Sequence, residues 1–375
     1  MECIVGIGVL GCGTVGSAVV DRLLNDRDAL ERRSGIRYEL RAIAVADLEK
    51  CRPAAIHASL LTRDARAVVD NPRVDIIIEC IGGTGEAAEL VERALERGKS
   101  VITANKDLIA TQGPRLHALA AARNATIRYE ASACGAIPVV ALLGQALAGD
   151  RVDAIAGVMN GTCNAILSAM EQGAEYSEAL AEAQSLGYAE SDPSNDVEGL
   201  DAAHKLAVLA QLSFDLALTS QRIRHSGISS VTKRDIARAA MLGYRIRLVA
   251  AAARAEHGAY AEVSALLVPA DHPFANLSGP ENIVHIVARD AGSLLVRGRG
   301  AGGPATASAI LGDTVAALRA IGERHLLNKP RALKPARDVD SFFAELARLP
   351  ELPKYPVWDD AVLCEPRRKA DVARA

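Results

Sequence analysis

Four charged residues in the middle of the chain have the types and spacing that proton-transfer chemistry requires. Asp201 and Lys205 lie four positions apart in a segment of helical periodicity, so their side chains share one helix face. Glu190 and Asp196 precede them across a turn. An isolated surface pair of this kind is usually worth only about 0.3–0.5 kcal/mol. Three carboxylates beside one ammonium also suit a substrate that itself carries an ammonium group.

A glycine-rich turn near the N-terminus has the spacing of a site that binds the pyrophosphate of a dinucleotide. It follows an apolar run at residues 4–10 and opens a helical pattern at residues 15–30, the context that gives GxGxxG its meaning. The first glycine permits the tight turn, the second lets the backbone approach the phosphates, and the third lets helix and strand pack. The predicted cofactor-binding residues of this turn are Gly11, Cys12, Gly13, Thr14, Val15 and Gly16.

An acidic residue follows the second predicted strand, at residues 39–46. Asp47 at that position would accept the ribose 2′-hydroxyl of NAD and repel the 2′-phosphate of NADP. Lys50 and Arg52 lie just beyond it and could counter the repulsion. The pattern favours NAD slightly and leaves both cofactors open.

The elements around this turn predict a doubly wound parallel sheet of the Rossmann type. Short apolar runs at residues 4–10, 39–46, 74–78, 100–103 and 126–129 alternate with helical patterns at 15–30, 86–97 and 114–123. Such alternation is typical of βαβ units in an α/β fold with helices on both faces. Gly98 lies where a helix C-terminal cap is expected.

The middle of the chain predicts a second, α+β domain. Helical patterns at residues 177–186 and 197–212 precede period-two runs at 244–250, 259–268, 282–289 and 293–298, and Asp290-Ala291-Gly292 is a plausible hairpin turn. An open sheet could pair with a second copy, so we expect a homodimer. The expected domains are 1–135 for dinucleotide binding, 136–300 for substrate binding and dimerisation, 301–327 as a return helix to the first domain, and 328–375 as a C-terminal tail.

Composition excludes several other classes of protein. Lysine plus arginine (43) nearly balances aspartate plus glutamate (46), and aromatic residues make up 3% of the chain, so no nucleic-acid partner is predicted. The seven cysteines form no CxxC pair. The N-terminus lacks the basic region of a signal peptide, and glycine interrupts the apolar stretches, so no membrane span is predicted. We expect a cytoplasmic protein that acts on a small molecule.

The polar cluster belongs to a longer run that resembles the signature of homoserine dehydrogenases. The matching positions are Ala183, Gly187, Tyr188, Ala189, Glu190, Asp192, Pro193, Asp196, Gly199, Asp201 and Lys205. Further stretches resemble the same family, namely the GxGxxG turn and residues 103–106, 129–138, 158–162 and 300–309. Together these motifs span residues 4 to about 320.

The resemblance implies NAD(P)-dependent interconversion of L-homoserine and L-aspartate 4-semialdehyde. Lys205 would exchange a proton with the reacting oxygen, Asp201 would hold Lys205 and the substrate, and Lys106 would stabilise charge at that oxygen. Two ammonium groups facing each other in a partly desolvated site would lower each other's pKa. The amino-acid end of the substrate would contact Glu190 and Asp196. The cofactor site would further include Ile81, Asn105 and Lys106.

The resemblance also implies a structural sodium ion at the domain junction. Its ligands would be the carboxylate of Glu130 and the backbone carbonyls of Ala133, Gly135 and Ile137, an all-oxygen set that suits a hard cation. Many relatives carry an arginine where this chain has Ala46, which counts against a preference for NADP. Family members often add a regulatory ACT domain, for which residues 328–375 are too few and too proline-rich, so no ACT domain and no feedback through one are expected.

Two alternatives remain open on the residues alone. Cys134 could be a thiol nucleophile, although no histidine lies near it in sequence to activate it, which favours simple packing. The chain could instead be another Rossmann-type amino-acid oxidoreductase, or a catalytically silent NAD(P)-binding regulator on the same fold. Retention of both Lys106 and Lys205 with Asp196 and Asp201 favours an enzyme.

Overall fold

Buried runs of valine and isoleucine form a parallel sheet in the first third of the chain. The computed structural model describes residues 4–323 except 51, 53–55, 215, 217, 257, 278 and 280. The strands are β1 (Ile4–Leu10), β2 (Arg37–Ala44), β3 (Leu61–Thr62), β4 (Ile76–Glu79), β5 (Ser100–Thr103) and β6 (Ile127–Arg128). Their order is β3-β2-β1-β4-β5-β6, with all neighbours parallel. This doubly wound order confirms the predicted α/β class.

Helices cover both faces of this sheet. They are α1 (Thr14–Asn25), α2 (Arg27–Ser34), α3 (Ala65–Asp70), α4 (Glu86–Glu96), α5 (Lys106–Ala122) and the later α12 (Gly303–Glu323). The last of these packs along α1 and α2, so the chain returns to the first sheet as predicted. Gly98 follows α4 in the left-handed region at φ +70°, as expected of a glycine that ends a helix.

The helical pattern at residues 114–123 predicts a helix that begins at Pro114, and this predicted start of α5 is wrong. The helix begins eight residues earlier at Lys106, because the Asn105 side chain accepts a hydrogen bond from the Leu108 N–H and caps it. A proline inside a helix removes the N–H that would bind the carbonyl four residues before it. Pro114 frees the carbonyl of Ala110 in this way. The side-chain amide of Gln211, on α10, donates to that carbonyl at 3.4 Å and so replaces the missing hydrogen bond.

A second sheet of six strands forms from the middle of the chain. Its strands are β7 (Val152–Val158), β8 (Arg224–His225), β9 (Tyr244–Ala255), β10 (Gly258–Pro269), β11 (Glu281–Ala288) and β12 (Gly292–Arg299). Their order is β12-β11-β7-β9-β10-β8, antiparallel apart from the β8–β10 pair. The predicted hairpin joins β11 to β12, with Gly292 at φ +73°. Sequence patterns did not predict β7, which is the central strand between β11 and β9.

The helices of this part lie against one face of the second sheet. They are α6 (Val139–Ala141), continued by a π-helical turn at Leu142–Ala146, then α7 (Gly161–Glu171), α8 (Tyr176–Ser185), α9 (Ser194–Val197), α10 (Leu200–Phe214) and α11 (Lys233–Met241). The buried face of the sheet and these helices share one apolar core. Within the described residues, no helix combines the length and apolarity needed to cross a membrane. The expected domain boundaries remain predictions.

Candidate active site

A cavity of about 500 Å³ lies where α5, α7 and α10 begin. All three helices aim their N-terminal turns at it, so side chains from distant parts of the sequence meet there. The glycine-rich turn contributes Val15 to the wall, and the segment after β12 contributes Gly300. The polar side chains that line the cavity include Lys106, Ser132, Asn160, Thr162, Tyr188, Asp196, Asp201, Lys205 and Thr306.

Two lysines converge on one buried carboxylate. The Lys205 ammonium donates to Asp201 Oδ2 at 2.8 Å and to the Met159 carbonyl at 2.7 Å. The Lys106 ammonium lies 3.1 Å from Asp201 Oδ1, the other oxygen of the same carboxylate. Because Lys106 opens α5 and the other two residues share a face of α10, this ion cluster joins the two helices.

The electrostatics of the cluster differ from the sequence expectation. Burial would raise the pKa of Asp201, but the two ammonium groups outweigh it and hold that pKa well below its usual range. Burial also acts to lower the pKa of Lys106, and the charge of Asp201 reverses this, so the pKa of Lys106 is raised. The prediction that the two lysines lower each other's pKa is therefore wrong for Lys106, since Asp201 lies between them.

Asn160 links the two acidic residues of the site, a role that sequence reasoning missed. Its amide nitrogen donates to Asp196 Oδ1 at 2.6 Å and to Asp201 Oδ2 at 2.9 Å. Its amide oxygen accepts from the Cys163 N–H and caps α7. An asparagine directly before a helical pattern is the signal that could have revealed the cap. Burial and the charge of Asp201 raise the pKa of Asp196.

Asn282 and Gly300 support the carbonyl that holds Lys205. The Asn282 amide donates to the Met159 carbonyl at 3.0 Å, so that oxygen accepts from both side chains. A Cβ at Gly300 would come within 2.1 Å of the Asn282 side chain, which explains why glycine stands there. Neither role has a signal in the sequence, because both depend on the return of β11 and β12 to the site.

Glu190 is not brought into the cluster. Its side chain is exposed and does not line the cavity, and within the described chain only its backbone carbonyl accepts a hydrogen bond, from Gln184. Its predicted contact with a substrate ammonium remains a prediction. His204, next to Lys205 on α10, lies with its Nδ1 2.6 Å from Asp107 Oδ1 and so links α10 to α5.

A second cavity, of about 460 Å³, adjoins the glycine-rich turn. Gly11 has φ +92°, and a Cβ there would lie 2.7 Å from the Cys80 carbonyl oxygen. A Cβ at Gly16 would lie 2.1 Å from the Gly11 carbonyl oxygen, so the third glycine permits the close approach of helix and strand. Among the described residues, and apart from its own chain neighbours, nothing lies within 4 Å of a Cβ placed on Gly13. A tight turn with open space at the second glycine fits a dinucleotide pyrophosphate.

Charges of both signs surround this cavity. Asp47 lines it and accepts from the Glu49 N–H, while Arg52 donates to the Asp47 carbonyl at 2.5 Å. Lys50 and Arg63 line it as well. Arg63 comes from the segment after β3, which sequence patterns did not predict, and so its presence was missed.

A buried glutamate organises the loop between the two cavities. Glu79 ends β4 and is fully buried; its Oε1 accepts from the N–H groups of Ile81 and Gly82, each at 2.7 Å. Its Oε2 accepts from the Thr103 hydroxyl. Asn105 donates to the Gly83 carbonyl at 2.6 Å, so the loop and the start of α5 are fixed together. Ile81 lines the cavity beside the glycine-rich turn, and its predicted contact with the cofactor stays a prediction.

The predicted sodium ligands lie in the loop that leads into α6. Glu130 is buried, and its two carboxylate oxygens accept from the Val140 and Ala141 N–H groups at 2.8 and 2.7 Å. Burial raises the pKa of Glu130 to about 7 and that of Asp313, which accepts from the Glu130 N–H, to about 6. Among the described residues no cationic side chain pairs with Glu130, and the sodium ion with the carbonyl ligands of Ala133, Gly135 and Ile137 stays a prediction.

Cys134 lies in the same loop and lines the catalytic cavity. It is buried with φ +56°, and burial raises the pKa of its thiol to about 11. The thiol is therefore protonated near neutral pH, which counts against the nucleophile hypothesis.

The doubly wound fold, the glycine-rich turn and the polar cavity beside it are typical of an NAD(P)-dependent oxidoreductase. Residues 11–130 match the family model for the NAD binding domain of homoserine dehydrogenase, and residues 138–315 match the model for homoserine dehydrogenase itself. The chain belongs to the homoserine dehydrogenase family.

Individual relatives agree with the family assignment. The homoserine dehydrogenase of Corynebacterium glutamicum is 43% identical over 321 residues, which cover 84% of this chain and 72% of the relative. A crystal structure of a homoserine dehydrogenase from Thiobacillus denitrificans superposes with a TM-score of 0.82 at 39% identity, covering 86% of this chain and 75% of that one. A hyperthermophilic archaeal homoserine dehydrogenase in complex with NADPH superposes with a TM-score of 0.72 at 26% identity. The match covers 84% of this chain and 98% of that one.

Proposed function

We propose that this chain interconverts L-homoserine and L-aspartate 4-semialdehyde with NAD or NADP. The observation that carries the proposal is the convergence of Lys205 and Lys106 on Asp201, next to a glycine-rich dinucleotide turn. A bound nicotinamide supplies the hydride donor or acceptor, and the protein supplies the proton and the electrostatic environment. A cavity of about 500 Å³ suits a substrate of this size.

Lys205 exchanges the proton. In the direction of aldehyde reduction, its ammonium donates a proton to the carbonyl oxygen as hydride reaches the adjacent carbon; in the reverse direction, its neutral amine takes the hydroxyl proton. Within the described chain, two of its three N–H bonds are held by Asp201 and the Met159 carbonyl, which leaves one for the substrate oxygen. Proton transfer by a positioned general acid or base typically raises the reaction rate about 10²–10⁴-fold.

Lys106 and Asp201 provide the electrostatic stabilisation of the reaction. The raised pKa of Lys106 keeps its ammonium charged, so it stabilises negative charge that develops on the reacting oxygen. Asp201 remains ionised and orients both lysines. Asp196, fixed by Asn160, binds the ammonium of the amino acid, and Glu190 contributes to the same end of the substrate.

The nucleotide cavity is proposed to accept both cofactors. Asp47 accepts the ribose 2′-hydroxyl of NAD, whereas Lys50, Arg52 and Arg63 provide positive charge for a 2′-phosphate. A sodium ion held by Glu130 and the carbonyls of Ala133, Gly135 and Ile137 would neutralise the buried carboxylate and brace the loop that carries Cys134. The protein would act as a cytoplasmic homodimer that pairs through its second sheet.

The test follows the absorbance of the reduced nicotinamide while purified protein oxidises homoserine, with NAD⁺ and NADP⁺ in separate reactions. Lys205→Ala should lower kcat by at least about 100-fold and leave cofactor affinity unchanged. Lys233→Ala is the matched control, because Lys233 is exposed and pairs with Glu175 away from the site. Nucleotide binding without homoserine oxidation, or an equal kcat in wild type and Lys205→Ala, would overturn the proposal.

A further inference from the structure

A cavity of about 790 Å³ takes no part in the proposed chemistry. It lies between the second half of α5, the end of α10, the π-helical turn and the end of β9. Ligand pockets typically have volumes of about 300–1,000 Å³. The groups relevant to binding are an unpaired arginine, a buried hydroxyl and an apolar wall.

Arg254 is the cation of this cavity. Its guanidinium donates to the carbonyls of Val152 at 3.3 Å and Ser213 at 3.1 Å, and it stacks over the Phe214 ring at 5.4 Å. It forms no ion pair within the described chain. Arg151, which lines the same cavity, is already paired with Asp153 at 2.7 Å. A half-buried guanidinium that is fixed in place but lacks a counter-ion favours an anionic ligand.

The Ser213 hydroxyl is a second polar group without a partner. Ser213 is 7% exposed and lines the cavity, and its Oγ forms no hydrogen bond to any described residue. Buried polar groups are nearly always hydrogen-bonded, so an unpaired one beside a cavity indicates a missing partner. Asp150 also lines the cavity, but its carboxylate already accepts from the N–H groups of Arg151, Asp290 and Ala291.

The rest of the wall combines the polar side chains of His117, Tyr129 and Gln211 with an apolar part. Leu143 and Leu147 come from the π-helical turn and the residue after it, and Leu212 and Pro114 come from the facing helices. We propose that this cavity binds a small carboxylate with an apolar body, its carboxylate against Arg254 and Ser213 and its body against the leucines.

The position of the cavity connects it to the catalytic lysines. α5 begins with Lys106 and α10 carries Lys205 near its start, while the cavity contacts the later turns of both helices. Gln211 bridges the two helices there, donating to the carbonyls of Ala110 and Leu218. A ligand that stabilises one packing of α5 on α10 would therefore alter how the two lysines meet Asp201. Only this coupling rests on the proposed function.

The experiment uses the full chain, without substrate or cofactor, and 4-phenylbutanoate as the probe. Saturation-transfer NMR should show saturable binding of the carboxylate and at least about tenfold weaker binding of its amide. Arg254→Gln should weaken carboxylate binding about tenfold or more, whereas Arg224→Gln, the same change on an exposed arginine outside the cavity, should leave it unchanged.

A second variant tests the site independently in case Arg254→Gln does not fold. Ala148 is exposed at the cavity wall, so Ala148→Trp should fill the space and abolish binding while the circular dichroism spectrum is unchanged. Equal binding of acid and amide, or full binding by Ala148→Trp, would overturn the site. If the probe binds but leaves kcat and KM for homoserine unchanged, the coupling is overturned and the site stands. Absence of homoserine turnover would leave the binding result untouched.

Discussion

Asp201 determines the electrostatics of the catalytic cavity at the scale of single residues. It accepts from three side chains, Lys205, Lys106 and Asn160, and its pKa is held well below the usual range. Since the folded pKa is depressed, the stability from its ionisation is present above the unfolded pKa of about 3.9 and is lost as pH falls through the folded value. The site therefore keeps its carboxylate at every pH at which the enzyme is expected to work.

Asp201→Asn should move the alkaline limb of the activity profile to lower pH. Without the carboxylate, only the weaker charges of Asp107 and Asp196 oppose the effect of burial on the pKa of Lys106, so its ammonium deprotonates sooner, and kcat should fall about 100-fold. The measurement is kcat/KM for homoserine between about pH 7 and pH 10. Asp70→Asn, which breaks a surface pair with Arg93, is the control and should leave the profile unchanged. An unshifted alkaline limb in Asp201→Asn would contradict the assigned role.

The sequence predicted the residues that perform chemistry better than those that position them. Lys205 and Asp201 could be identified because an i, i+4 spacing fixes their geometry locally. Asn282 and Gly300 could not, because the contact of Asn282 with the Met159 carbonyl, and that of Gly300 with Asn282, depend on how β11 and the end of β12 return to the site. The pKa of Lys106 was predicted with the wrong sign for the same reason, since no local pattern places Asp201 between two lysines.

At the scale of elements, Glu79 fixes the end of β4 to the start of α5. A glutamine there would keep one oxygen for the two loop N–H groups but present an amide to Thr103, so one side of the network would lose its acceptor. Glu79→Gln should raise KM for the cofactor about tenfold and lower stability by about 1–3 kcal/mol. Cofactor kinetics and thermal unfolding are the measurements.

The exposed Glu89, on α4, provides the control for this substitution. Glu89→Gln removes only a surface pair with Arg66 and should leave both quantities unchanged. A loss of stability in Glu79→Gln with an unaltered cofactor KM would restrict Glu79 to a structural role and refute the positioning role.

The loop before α6 gives a second prediction at this scale. A ligand that binds only the folded state stabilises it by mass action, about 1.4 kcal/mol at ten times its dissociation constant. Sodium chloride should therefore raise Tm above that in choline chloride of equal ionic strength, and Glu130→Gln should remove the difference. Glu198→Gln, an exposed control, should retain it. Equal Tm values in the two salts would contradict the sodium site.

Element types were predictable where a pattern is long and regular, and less so elsewhere. β1 and β5 match their predicted bounds because every residue of β5, and every residue of β1 after Ile4, is buried in a short β-branched apolar segment. β3 has two residues and carries no pattern. β7 was missed because its alternating small residues, with Ala154 and Ala156 at partly exposed positions, give a weak apolar signal.

At the scale of the whole molecule, the second sheet has one face that none of the described α-helices covers, although a short 3-10 helix at Pro273–Asn276 packs against one end of it. Ser293, Val287, Ala154, Ala253 and Tyr260 are paired in one row across five strands, β12, β11, β7, β9 and β10. Tyr260 is 77% exposed and Val287 37%. A broad face of small and apolar side chains is typical of a surface that packs against another protein. A second copy of the same face would cover it symmetrically.

Val287→Asp should therefore convert a dimer into a monomer, because each copy would place an unpaired carboxylate in the buried centre of the interface. Sedimentation velocity of wild type should give the mass of two chains, and that of the variant the mass of one. Leu242→Asp, at an exposed leucine after α11 and away from the row, should remain dimeric. The catalytic cavity lies beyond the opposite, helix-covered face, so kcat should fall only as far as stability does. A wild-type protein that sediments as a monomer, or a Val287→Asp variant that sediments as a dimer, would refute pairing through this face.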